Sequence, residues 1–75
     1  MDAQGIRERL EHSRHLLAQK HYGTGMGWSE LMAMVDKELF MLEDLRKTRP
    51  MLRLKIDALV SGWVEYRTWL EEHNE

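Results

Sequence analysis

The strongest constraint on the fold is the stretch from Trp28 to Lys47, which carries apolar side chains on more than one helical face. One heptad-like seam comprises Trp28, Leu31, Val35, Leu42 and Leu45. Only a narrow polar strip remains, because a second stripe comprises Met32, Met34, Leu39, Phe40 and Met41. A helix with this pattern is buried on two sides. We therefore predict a helix over residues 28–47 that is covered by neighbouring helices, by a partner, or by both.

Length and composition limit the class of protein. The chain has 75 residues, enough for one domain, and a chain of this size buries only about 60% of the surface that it exposes when unfolded. We therefore expect its stability to depend on a partner or on self-association. There is no cysteine, no apolar run of about 18 residues and no signal-like start, so we expect a cytoplasmic protein. The net charge of −2 predicts no general affinity for nucleic acid or membranes.

The residues before this stretch predict a thinner, amphipathic helix over residues 3–21. Asp2 is placed to cap it, and its apolar stripe comprises Ile6, Leu10, Ser13, Leu16 and Leu17. Three glycines within residues 23–27 disfavour helix. We therefore predict a loop over residues 22–27 that joins two antiparallel helices.

The residues after it predict a third helix over residues 50–72. Pro50 ends the preceding helix and suits the first turn of the next. Apolar residues then alternate three and four apart, which predicts a seam against another helix: Leu52, Ile56, Leu59, Trp63, Tyr66 and Leu70. The predicted fold is all-α, either an antiparallel three-helix bundle or a helical hairpin with a short N-terminal helix, and it is expected to self-associate.

Motifs for catalysis, cofactors or metals are weak. The glycine loop matches no phosphate-binding motif and follows no strand. On the first helix Glu8, Glu11, His12 and His15 lie at spacings of three and four, but Arg14 lies among them and the four-ligand pattern of structural zinc is missing. No carboxylate pair lies in an apparent apolar pocket that would shift a pKa. We therefore predict no enzyme activity, no cofactor, no metal and no small-molecule substrate.

Basic residues cluster around the junction of the second and third helices. The cluster comprises Arg46, Lys47, Arg49, Arg53 and Lys55. Such a cluster is able to contact phosphates, which would make the chain a small nucleic-acid-linked regulator of the phage or antitoxin type. The alternative is compensation of a helix dipole, and Asp44 and Asp57 dilute the charge. Nucleic acid is therefore the secondary hypothesis.

Methionine content favours a protein partner. Five of the six methionines follow residue 25, and their flexible, polarisable side chains adapt to irregular partner surfaces. The same residues also fill imperfect cores, so core and interface roles both remain open. Because apolar faces exceed the available cover, we expect a protein client, another copy of the chain, or a purely structural homo-oligomer.

Three short stretches suggest a family. The first helix carries Leu10, Ser13, Leu16 and Leu17. The second helix opens with Trp28-Ser29-Glu30-Leu31, and the third with Arg49-Pro50-Met51-Leu52-Arg53-Leu54. In order and spacing, residues 6–60 resemble the FliT-type flagellar export chaperones, which are small helical proteins that hold the filament-cap protein before type III secretion.

The resemblance implies a chaperone or adaptor of flagellum biogenesis that sequesters an amphipathic helix of its client. The implied client face lies on helices two and three, and with the methionine argument it comprises Met32, Val35, Leu39, Leu42, Leu52, Ile56, Leu59 and Trp63. This sequence departs from the family in its glycine-rich first loop and its shorter second connection. The family also continues into a fourth, regulatory helix, without which the client groove is expected to lie open.

Overall fold

The structure, a computed structural model, describes residues 3–19 and 25–73. It contains three α-helices, α1 (Ala3–Ala18), α2 (Trp28–Thr48) and α3 (Arg53–Glu72), with a 3-10 turn (Pro50–Leu52) before α3. The all-α prediction is confirmed, and the described segments contain no strand. Within them no helix is long and apolar enough to cross a membrane.

The bounds of α2 differ by one residue from the predicted range 28–47. The third helix, predicted over residues 50–72, begins as an α-helix at Arg53, after the 3-10 turn. The α1 helix ends at Ala18, and Gln19 forms a turn. The expected end of this helix at residue 21, the capping role of Asp2 and most of the predicted loop lie outside the described residues. Gly25, with φ of 75°, adopts a left-handed conformation that other residues rarely adopt.

The start of α2 depends on backbone groups, since Gly27 is its N-cap and no side chain caps it. The Gly27 carbonyl accepts a hydrogen bond from the N–H of Leu31 at 3.0 Å. Glu30 lies in the first turn, and Arg46 and Lys47 lie in the last. These charges stabilise the positive and negative ends of the helix dipole.

The connection between α2 and α3 is tight. The N–H of Arg49 bonds to the Leu45 carbonyl at 2.7 Å, and Pro50 then opens the 3-10 turn, because its fixed φ suits a first helical turn. The two helices consequently lie side by side in opposite directions. The indole of Trp28, at the start of α2, donates a hydrogen bond to the carbonyl of Leu70, near the end of α3, at 2.7 Å.

Both predicted heptad seams meet in the core. The buried apolar residues of α2 and α3 are Val35, Leu42, Leu45, Ile56, Trp63, Tyr66 and Leu70. Trp28, Leu31, Leu52 and Leu59, the remaining seam residues, are partly buried against them. The α2–α3 contact therefore buries the faces that the alternating spacing predicts.

The second apolar stripe of α2 is buried less than its pattern predicts. Met32, Met34, Leu39 and Met41 are only partly buried, and the side chain of Phe40 is 77% exposed. The physical reason is that α3, together with part of α1, covers only one side of α2. Two ion pairs between α2 and α3 lie at the margin of that covered side. Arg46 pairs with Asp57 at 2.9 Å and Asp36 with Arg67 at 3.3 Å.

The α1 helix packs on α3 and α2 through the predicted thin stripe. Ile6, Leu10 and Ser13 are buried. The Ser13 hydroxyl accepts a hydrogen bond from the indole N–H of Trp63 at 2.9 Å. Leu17 lies over Gly62, where an added Cβ would stand 2.5 Å from its Cδ2 atom. Gly62 thus permits the close approach of α1, because it has no Cβ atom to meet Leu17.

Candidate partner-binding surface

A groove of about 830 Å³ lies between α1 and α3. Both helices contribute to its apolar floor, because the stripe of α1 is too thin to cover α3 fully. The floor comprises Leu10, Leu17, Leu52, Ala58 and Leu59. A volume of this size lies within the range of protein ligand sites, and the lining comes from two helices, α1 and the start of α3 with the preceding turn.

Charged side chains line the rim of this groove. Arg7, Arg14 and Lys55 face Glu8 and Glu11, so three cations stand against two carboxylates and one positive charge is in excess. Arg14 bonds to Glu11, with an Nε–Oε2 distance of 3.1 Å, and this hydrogen bond lowers the pKa of the Glu11 carboxyl. The carboxylate of Glu8 accepts a hydrogen bond from Gln4 at 3.1 Å. In the described part of the chain, Arg7 and Lys55 form neither hydrogen bonds nor ion pairs, and they therefore supply the excess charge.

A second cavity, of about 480 Å³, lies between α1 and α2. It is bordered by a buried ion pair, in which Nη2 of Arg9 contacts Oε2 of Glu38. The Glu38 side chain is only 3% exposed. The Arg9 Nη1 and Glu38 Oε1 atoms are buried without a hydrogen-bond partner, a state that carries a desolvation cost.

Glu38 is the structural residue that sequence reasoning missed. It lies three residues after Val35 and four before Leu42, and it therefore occupies a position within the apolar seam of α2. A charged residue at a seam position is the signal of a buried polar contact. The sequence did not indicate that the partner would be Arg9, because the orientation of α1 sets that pairing.

The predicted client face is largely occupied by the protein's own packing. Val35, Leu42, Ile56 and Trp63 are each 0% exposed, so they form the core and are not on the surface. The other four predicted residues, Met32, Leu39, Leu52 and Leu59, are partly buried against that core. Of the eight predicted residues, only Leu52 and Leu59 line the α1–α3 groove. The reason is that the α2–α3 seam is satisfied within the chain.

Other apolar side chains lie at the surface. Five large ones are well exposed: Phe40, Met51, Leu54, Val64 and Trp69. The helical spacing places Val64 and Trp69 outside the seam of α3. Met51 and Leu54 lie outside the seam that contains Leu52 and Ile56, and this displacement was the sequence signal for their exposure.

The basic cluster is brought to the α2–α3 junction, and all five of its residues are exposed. Two of the five are engaged with acids, since Arg46 pairs with Asp57 and Lys47 lies 3.9 Å from Glu43. The guanidinium of Arg49 bonds to the Thr48 carbonyl at 3.3 Å. The junction is therefore less positive than its sequence indicates.

Three of the four acidic and histidine residues singled out on α1 contact side chains of the same helix or of Gln19 just after it, and the carboxylate of Glu8 does so through Gln4. Glu11 pairs with Arg14, and the His15 ring contacts the Gln19 amide at 3.1 Å. Across residues 3–19 and 25–73, no three histidine or acidic side chains are arranged to hold a metal ion.

Comparison of the chain with family models, curated proteins and solved structures produced no match.

Proposed function

We propose that this chain is a small protein-binding module that holds an amphipathic helix of a client protein in the groove between α1 and α3. The three helices form an antiparallel bundle, and its role is that of a cytoplasmic chaperone or adaptor, without catalysis. The groove carries the proposal, since it offers an apolar floor that residues 3–19 and 25–73 leave open. A helix laid in such a groove is a recurring mode of peptide recognition.

Charge defines the client further. The rim has one positive charge in excess, and the cations without a partner in the described residues are Arg7 and Lys55. We expect a client helix with an apolar stripe flanked by Asp or Glu. The likeness of residues 6–60 to FliT-type chaperones supports a client of this helical kind and makes flagellar export the first pathway to examine.

A selection from a displayed library of helical peptides tests the proposal. Peptides that bind the wild-type chain are synthesised, and methyl chemical shifts of the protein are followed during titration. We expect shifts concentrated at Leu10, Leu17 and Leu59. Leu52→Glu places a charge on the groove floor and should weaken binding at least tenfold, since a buried unpaired charge is costly.

Phe40→Glu is the matched control, because it makes the same kind of change on the outer side of α2, where Phe40 is 77% exposed. It should leave peptide affinity unchanged. If a folded Leu52→Glu variant binds the peptides as well as wild type, or if the shifts lie outside the groove, the proposal is wrong. Binding to an oligonucleotide that weakens steeply with salt would favour the nucleic-acid alternative instead.

A further inference from the structure

The outer side of α3 carries a continuous stripe of exposed residues that no helix of the described chain covers. The stripe comprises Met51, Leu54, Ala58, Ser61, Glu65 and Trp69. Met51 belongs to the 3-10 turn before α3. At about 100° per residue the other positions, from Leu54 to Trp69, fall within roughly a quarter of the helix circumference. Met51 is 98% exposed, Leu54 81% and Trp69 47%. These side chains therefore form one surface, here called the α3 outer stripe.

Large and small side chains are arranged nearly symmetrically about the middle of the α3 outer stripe. Large apolar side chains lie at its two ends, Met51 and Leu54 at one and Trp69 at the other. The small residues Ala58 and Ser61 lie between them, and they permit another helix to approach closely. Trp69 is held in place by stacking on the His73 ring, with centroids 4.2 Å apart and planes 18° from parallel.

Charges on and beside the stripe are opposite at its two halves. Lys55 borders the half with Leu54, and Glu65 lies in the half with Trp69. Within the described residues neither side chain has a hydrogen bond or an ion pair. On the flank of α3 nearer α2, Asp57 pairs with Arg46 and Arg67 with Asp36. Lys55 also lies across the groove from Glu11, whose pKa is lowered mainly by the Arg14 hydrogen bond and further by the charge of Lys55. Opposite charges are thus present at the two halves of the stripe.

We propose that the α3 outer stripe binds a second copy of this chain, with the two α3 helices antiparallel. A two-fold axis near residue 60 places Met51 against the partner's Trp69 and Lys55 against the partner's Glu65. Ala58 and Ser61 then lie at the close approach beside the axis. Because the interface is isologous, each contact occurs twice. A parallel arrangement would place Lys55 beside the partner's Lys55 and Glu65 beside the partner's Glu65. It is disfavoured because like charges repel.

The contacts suit the residue types. A thioether packs favourably at an aromatic ring, which matches Met51 to the indole of Trp69. The ion pair between Lys55 and the partner's Glu65 fixes the antiparallel direction, since complementary charges set register more than affinity. The stripe shares Lys55 and Ala58 with the client groove. Leu54, Glu65 and Trp69 belong to the stripe alone, and variants at these positions test dimerisation without altering the groove lining.

Sedimentation equilibrium of the full chain between about 1 µM and 1 mM tests the proposal, a range that brackets weak to moderate homodimers. We expect a concentration-dependent monomer–dimer equilibrium. Lys55→Glu and Glu65→Lys should each weaken dimerisation roughly tenfold or more, since each creates two like-charge contacts. The double variant Lys55→Glu/Glu65→Lys should restore the wild-type dissociation constant to within about threefold.

Two further variants separate the surface from general stability. Leu54→Glu alters a side chain that is 81% exposed and should abolish the dimer while the circular dichroism spectrum stays helical. Reversal of Glu43 and Lys47, an exposed pair on α2, should leave the dimer unchanged. A wild-type chain that is monomeric throughout the range overturns the proposal. The proposal is also wrong if Leu54→Glu leaves the dimer dissociation constant unchanged, or if the double variant dimerises as weakly as the single variants. Peptide binding in the groove is measured independently, so failure of one proposal does not imply failure of the other.

Discussion

The contact between α2 and α3 and the attachment of α1 are built differently. Between α2 and α3 the buried side chains are large and apolar, as in Leu42, Ile56 and Leu70, and ion pairs lie at the margin. The α1 helix contributes two buried apolar residues, Ile6 and Leu10, together with the buried hydroxyl of Ser13. Its attachment also includes the buried Arg9–Glu38 pair.

This difference separates the contact that supplies stability from the contacts that fix the position of a helix. Apolar burial is non-directional and scales with area, so the α2–α3 contact supplies most of the stability. Hydrogen bonds and ion pairs add little net free energy but penalise wrong geometry strongly. The polar contacts of α1 therefore fix where the helix lies and what shape the groove beside it has.

The largest effect is expected from the α2–α3 contact. Leu42 is 0% exposed, and Leu42→Ala should reduce the free energy of unfolding by about 3 kcal/mol, because it leaves a cavity in the core. Leu10→Ala should cost less and should loosen α1 while α2 and α3 remain paired. Chemical denaturation measures the first effect, and hydrogen exchange resolved by residue measures the second. Equal loss of protection in all three helices in Leu10→Ala would contradict the comparison.

A smaller loss is expected at the buried ion pair. Arg9→Met removes the partner of a carboxylate that is 3% exposed. Because the Arg9 side chain is itself 23% exposed, we expect a cost of about 2 kcal/mol, that of an unpaired buried polar group. Replacing both residues, as Arg9→Met/Glu38→Leu, should recover most of that loss, because no unpaired charge remains. Urea denaturation of the single and double variants measures the coupling. A double variant no more stable than Arg9→Met would show that the pair contributes net stability.

The close approach of α1 to Gly62 predicts a conditional effect. Gly62→Ala gains about 1 kcal/mol of helix propensity, but its Cβ would meet Leu17 Cδ2 at 2.5 Å. We expect these terms to cancel to within about 0.5 kcal/mol in the wild-type background. In a Leu17→Ala background the same change should stabilise by about 1 kcal/mol. Thermal denaturation of the four variants gives the coupling, and simple additivity would exclude the steric contact.

The smallest expected effect is a pH dependence. It tests a polar group, the Tyr66 hydroxyl, within the otherwise apolar contact between α2 and α3. Burial raises the pKa of the Tyr66 hydroxyl, so the unfolded chain loses this proton at lower pH than the folded chain. Stability is then fully present below about pH 10, the unfolded tyrosine value, and is lost as pH rises above it. The slope from this group is at most about 1.4 kcal/mol per pH unit. Tyr66→Phe should lack this part of the alkaline loss, which denaturation across pH 9 to about 11 measures.

Helix positions were predictable because their signals are local. Glycine before Trp28 and proline at residue 50 mark the boundaries, and the alternation of three and four along α3 identified its buried face. The same periodicity predicted Ile6, Leu10 and Ser13 as the buried stripe of α1. These features depend on residues within one or two helical turns.

The candidate surface was less predictable because it depends on how helices are placed relative to each other. Val35 and Leu42 look the same in sequence whether they face α3 or a client, and the structure buries them. The groove exists because α1 lies against Gly62 and Trp63, contacts far apart in the chain. Phe40 shows the opposite error, since an apolar residue near a seam proved to be exposed.

The three tryptophans occupy three different junctions, and this gives the molecule a set of internal optical reporters. The indole of Trp28 bonds to the end of α3, that of Trp63 bonds to Ser13 of α1, and Trp69 lies on the outer stripe. Variants that retain one tryptophan would therefore separate opening of the helix ends, departure of α1 and arrival of a second copy. A single emission spectrum of the wild-type chain mixes all three events.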